Sequence, residues 1–325
     1  MLTASSNRMS VDLRRLWIPI IRRSRLFLAT LSIAIKTVGV IVIASGAMAA
    51  EPAIPNYQRV ADWPTLPASM KLGPVSSVAI DTAGRVYVLQ RTQPPVVVFD
   101  GKGEFLRTWG EGFLKIPHGL RIDRNDNVWM TDIGNHIVLK CDAEGNVLLT
   151  LGRKGEAGSG PDQFNKPTDV AFSAAGDVFV SDGYGNSRIV KFSKEGRYLA
   201  EWGTKGTGRG EFNLPHTLCT DGKDRLYVGD LENDRVQVFN LDGKFLDQFT
   251  ESGAPFSLAL KSDRLFVADG RARQINVLNL QGKRLGHWST GDGDSNTPHW
   301  VSVDSHGTAY VSYVSGQRID KFTAK

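Results

Sequence analysis

Two cysteines in 325 residues allow one disulfide at most, so no framework of bridges holds this chain together. Histidine is also scarce, with six, which makes any pattern among them informative. Beyond residue 55 no stretch carries a strong helical period, and that excludes a helical architecture. Excess charge is missing once the first fifty residues are set aside. They hold seven of the 39 basic and one of the 34 acidic residues, leaving 32 against 33 and a charge of −1. A nucleic-acid partner, which calls for a basic patch on the folded domain, loses its compositional support.

The first fifty residues are different in kind. "RRLWIPIIRRSR" is a charged n-region, "LFLATLSIAI" and "TVGVIVIASGAMAA" form an apolar segment interrupted by Lys36, and Ala47-Met48-Ala49 is a small-residue cleavage site. Lys36 leaves neither half at the roughly 20 residues that a membrane span needs. Residues 1–50 therefore read as an export signal, with an uncleaved N-terminal membrane anchor as the alternative. The mature protein is expected to be periplasmic or secreted. Arg22-Arg23 ahead of the apolar run also fits a twin-arginine signal. Residues 51–69 read as a linker in which 56–66, "NYQRVADWPTL", are a candidate ring-closing strand.

What the chain does have is a repeat. Six segments share an alternating strand, a polar turn and a second strand: "SSVAIDTAGRVYVLQR", "HGLRIDRNDNVWMTD", "TDVAFSAAGDVFVSD", "HTLCTDGKDRLYVGD", "FSLALKSDRLFVAD" and "HWVSVDSHGTAYVSY". Third strands such as "RVQVFN" and Gly-containing turns follow each. Period-2 alternation between turn residues is the hairpin signal. Four antiparallel strands per unit, repeated at 40 to 50 residues, predict an all-β, six-bladed β-propeller over residues 70–325. The repeat sets Cys141 and Cys219 in different units at non-equivalent positions, so a bridge between them is permitted but not required.

The first strand of a propeller blade lies innermost, so the residue opening each repeat faces the central channel. The six are Ser76, His118, Thr168, His216, Phe256 and His299. Histidine alternates around the ring, about 120° apart, which is the arrangement of a three-histidine metal site with an open fourth position. Zinc is favoured because neutral imidazole suits it and no Cys or Met joins the set; copper, iron and cobalt are compatible. His136, His287 and His306 have no matching positions and read as surface or outer-strand residues. Asp132, Asp182, Asp230 and Asp269 recur at one repeat position and read as structural turn or inter-blade residues.

From about residue 70 onward the chain resembles the NHL-repeat propeller of peptidyl-α-hydroxyglycine α-amidating lyase (peptidylamidoglycolate lyase). The densest match runs through "KPTDVAFSAAGDVFVSDGYGNSRIVKFSKEGRYLAEWG" into "FNLPHTLCTDGKDRLYVGDLENDRVQVF", and "PHGLRIDRNDNVWMTD" is similar to the family's first histidine segment. The resemblance implies zinc on His118, His216 and His299, with Tyr184 of "SDGYGNSR" and Arg91 of "VLQRT" completing the active site. It implies cleavage of a carbinolamide, a peptide or small molecule with an α-hydroxyglycine-like end, into an amide and glyoxylate. Zinc would lower the pKa of the substrate hydroxyl, a tyrosine near the metal would accept its proton, and Arg91 would offer a planar fork to the carboxylate.

The chain also departs from that pattern. Trp300 follows the third histidine where the family has an aspartate tied to a structural calcium, which puts calcium in doubt. Leu231 replaces an anion-binding arginine, and Gly185 replaces a disulfide cysteine. No segment is expected to carry the copper monooxygenase that normally makes the substrate, and the chain is expected to act as a monomer. A second reading is a non-catalytic NHL propeller that binds a peptide, protein or glycan. A lactonase-type calcium site would need a cluster of Asp, Glu and Asn side chains at the repeat entrances, and none is there.

Overall fold

A computed structural model describes residues 53–325 of the chain. The segment read as an export signal or anchor lies outside the described residues. Six four-stranded antiparallel sheets make six blades, so the fold is the six-bladed propeller that the repeat predicts. Their innermost strands are Val75–Ile80, Pro117–Ile122, Asp169–Phe172, Pro215–Thr220, Pro255–Lys261 and Trp300–Val303, each packed beside the next around the ring. The only helices among the described residues are two 3-10 turns, neither long enough to cross a membrane.

Blades stack face to face, so the inner strands are covered on both sides. Val86–Gln90, Val128–Asp132 and Val178–Asp182 are buried at every position, which is why strands of "VYVLQ" type carry apolar residues in near-continuous runs rather than strict alternation. Outer strands such as Phe245–Phe249 face water along one side. The core is thus divided among the blade interfaces. Val98 of blade one packs with Leu120 and Met130 of blade two, and Trp63, Val88 and Trp300 meet between the last blade and the first.

Ring closure joins the two ends of the described chain. Tyr57–Arg59 adds an antiparallel fourth strand to the last blade, pairing Tyr57 with Ala324 and Arg59 with Phe322. Tyr57 stacks on Trp288 at 4.1 Å between ring centroids, and Trp63 is buried against Tyr310.

The recurring aspartates hold the loops that lead into the channel. Asp132 accepts the Ile116 N–H at 2.9 Å, Asp182 that of Asn165 at 2.8 Å, Asp230 that of Asn213 at 2.7 Å and Asp269 that of Ala254 at 3.3 Å. Each donor lies two or three residues before the residue that opens the blade. Carboxylates accepting backbone N–H groups fix these loops in place of a regular ladder. Cys141 and Cys219 are buried and free.

Candidate metal centre

Local backbone geometry aims the three histidines inward. In blades two and four the ladder between the first two strands slips at Pro117/Leu120 and Pro215/Thr217. Proline donates no ladder hydrogen bond and suits the first position of a strand. The bulge that follows it re-aims the next side chain, and that side chain is His118 or His216. His299 directly precedes its strand, its N–H held by the Ser312 carbonyl at 2.9 Å. The three ring nitrogens that face one another all lie within 4.8 Å, a spacing that could hold one ion.

Each histidine is fixed by the blade that comes next. His118 Nδ1 donates to the Thr168 carbonyl at 2.8 Å, His216 Nδ1 to that of Phe256 at 2.7 Å, and His299 Nδ1 to that of Ser76 at 2.6 Å. A carbonyl only accepts, so each Nδ1 carries the proton and each Nε2 keeps its lone pair. Burial reinforces this by disfavouring the cation. It drives His118 well below the usual imidazole range, His216 down to about 4 and His299 down to about 3, with neighbouring histidines adding to the shift at His118 and His299.

The Tyr184 hydroxyl lies 3.2 Å from His118 Nε2 and 3.0 Å from His216 Nε2. Although 41% of the residue is exposed, its polar end sits at the centre. One phenolic proton therefore serves a phenol oxygen and three bare imidazole nitrogens. A cation would complete such an electron-rich cluster, and three neutral imidazoles with a fourth position open fit zinc. Arg91 is anchored by its Nε on the Pro117 carbonyl at 3.3 Å. No carboxylate pairs with it among the described residues, and burial lowers its pKa, Tyr184 opposing that shift. The channel mouth thus brings together all five residues singled out in the sequence.

Two features were not anticipated. Ser76, Thr168 and Phe256 open the other three blades, and their carbonyls orient the histidines; the shared period was the available signal. Below the histidines the partly buried Arg121 pairs with the fully buried Asp169. The departures also have physical meaning. Leu231 is buried and supplies no charge at the mouth. An added Cβ on Gly185 would stand 2.1 Å from the Asn165 side chain, so a cysteine there would have to displace Asn165. Trp300 is fully buried and stacks beside His299.

Fold and site together define a six-bladed propeller with a histidine-lined centre at one mouth of its channel. The NHL repeat profile matches residues 164–192 and 212–239. Human NHL repeat-containing protein 3 is 30% identical over 295 residues, which cover 82% of this chain and 84% of that protein. The chain belongs to the NHL-repeat proteins. A probable peptidyl-alpha-hydroxyglycine alpha-amidating lyase of Caenorhabditis elegans is 31% identical over 218 residues, 59% of this chain and 62% of that protein. Peptidyl-glycine alpha-amidating monooxygenases of rat, mouse and Xenopus laevis are 32% to 35% identical over 58% to 59% of this chain, and the chain spans only 22% to 26% of their length. Among solved structures, streptogramin B lyase superposes with a TM-score of 0.60 at 11% identity, over 83% of this chain and 98% of that one, a likeness of fold alone.

Proposed function

We propose that this chain is a metal-dependent carbon–nitrogen lyase that splits an α-hydroxyglycine-type carbinolamide into the amide and glyoxylate. The observation that carries the reading is the cluster of three bare Nε2 nitrogens and one phenol at the channel mouth. Relatives named as amidating lyases support it. Zinc on the Nε2 atoms of His118, His216 and His299 would supply Lewis-acid polarisation of a substrate hydroxyl.

Tyr184, a phenol, would pass its own proton to the departing amide nitrogen as its oxygen takes up the hydroxyl proton. The O–H bond breaks, the aldehyde C=O forms, the C–N electron pair leaves on nitrogen, and nitrogen gains the proton. No oxidant is consumed. Burial raises the phenol's pKa while the positive charge of Arg91 lowers it. Arg91, with its Nε anchored, offers its remaining fork to the substrate carboxylate. The same proposal places the enzyme outside the cytosol, on the strength of its N-terminal segment.

A binding propeller is the second reading, favoured by the match to human NHL repeat-containing protein 3 over most of both chains. Glyoxylate release from an N-acyl-α-hydroxyglycine by zinc-loaded residues 51–325 separates the two. Release that His216→Ala abolishes supports the lyase. No release from the zinc-loaded wild type moves the assignment to a binding protein.

A further inference from the structure

At the third position after each blade's opening residue, five blades carry small side chains, Ala79, Ala171, Cys219, Ala259 and Ser302, and the sixth carries Arg121. All six line the same cavity on the channel axis. Arg121 is the one long side chain among the six.

Its guanidinium touches four other blades. Nε and Nη2 form a fork on Asp169 of blade three at 3.0 and 2.6 Å. Nη2 also reaches Thr217 Oγ1 at 3.3 Å and the Leu218 carbonyl at 3.1 Å in blade four, and the Leu258 carbonyl at 3.0 Å in blade five. The cation lies 4.5 Å from the Trp300 ring centroid of blade six. Asp169 is fully buried and also accepts from the Thr217 hydroxyl and the Leu218 N–H, both at 2.9 Å. Ser302 Oγ continues the tie to blade one through the Val78 carbonyl at 2.7 Å.

This layer is bonded directly to the histidine segments. Arg121 is three residues after His118, Thr217 and Leu218 follow His216, and Trp300 follows His299 and stacks on it. Gly119, next to His118, leaves no room for a side chain between the blades: an added Cβ would stand 2.5 Å from the Thr168 carbonyl oxygen and 3.2 Å from the Trp300 indole. A buried ion pair contributes little net stability against an apolar replacement but enforces a defined arrangement when every lone pair is satisfied.

We propose that Arg121 is a positioning residue: its guanidinium clamps the blades one layer below His118, His216 and His299 and thereby fixes the spacing and ring orientation of that centre. The proposal rests on the reading of those histidines as the functional centre.

The test compares metal-free wild type and Arg121→Lys by long-range ¹H–¹⁵N histidine spectra, followed by zinc affinity in competition with a chelator. Wild type is expected to show Nδ1–H signals for all three histidines. Lysine keeps the charge but not the fork. The expected result is a folded ring with averaged histidine signals and zinc binding weakened about ten- to a hundredfold. A folded Arg121→Lys with wild-type spectra and unchanged zinc affinity overturns the proposal. Should that variant not fold, Thr217→Val, which removes the hydroxyl shared by Arg121 and Asp169, is judged by the same two readouts. A wild type that takes up no zinc, with histidine order still lost in the variant, refutes the metal reading and leaves the clamp standing.

Discussion

His299 Nδ1 donates to the carbonyl of Ser76 at 2.6 Å, across 223 residues of sequence. The bond joins the residue that opens the last blade to the innermost strand of the first, so one histidine of the candidate centre also helps to close the ring.

Ring closure and metal affinity should therefore fall together. Removing residues 51–69 deletes the half-buried Tyr57, stacked on Trp288, and the buried Trp63, the latter worth about 3–5 kcal/mol as a buried tryptophan. Thermal melts with and without zinc check this. The truncated chain is expected to melt lower and to gain less from zinc, and equal melting of the two chains would contradict closure through this strand.

Tyr184 is expected to act on the proton rather than on the metal. Tyr184→Phe should lower kcat by about 10²- to 10⁴-fold with zinc content unchanged. Steady-state kinetics beside elemental analysis give the answer, and a variant that loses its zinc would reassign Tyr184 to holding the ion.

Acid should destabilise the metal-free protein through the same histidines. Their folded pKa values lie below the ordinary 6.5, at about 4 for His216 and about 3 for His299. Between those values and 6.5 the unfolded chain binds more protons than the folded one, so stability falls as the pH drops through that window and is flat in these groups above it. Denaturant midpoints at pH 7.5 and 5 should show a smaller acid loss in His216→Ala than in wild type; equal losses would contradict the assignment.

Burial pushes the thiols of Cys141 and Cys219 up to about 12. At pH 8 both are protonated, and neither thiolate is available to a disulfide reagent. The native protein is expected to show no reactive thiol and the denatured protein two, read by absorbance on titration.

Much of this architecture was legible in the sequence, because a propeller writes its fold as a repeat. The turns, the strand pairs and the alternation of His118, His216 and His299 all follow from period, whereas the double-faced burial of strands such as Val178–Asp182 does not, because alternation points to only one covered face. Backbone chemistry was less accessible. The carbonyls of Ser76, Thr168 and Phe256 leave no mark in their side chains, yet they set the tautomer of each histidine. Arg121 was visible only as an exception, one charge at a position where the other five blades keep small residues, and its meaning needed the ring to be closed. The role of Asp132, Asp182, Asp230 and Asp269 in holding loops was suggested by repetition and specified only by their N–H donors.

The most direct test of the central claim is the metal content of residues 51–325 beside a His216→Ala variant, by elemental mass spectrometry after incubation with zinc. The account predicts about one zinc per chain, as three imidazoles and an open position require, with the zinc lost in the variant. Absence of any stoichiometric transition metal from the wild type would contradict it and leave the three histidines as a packing feature of the channel.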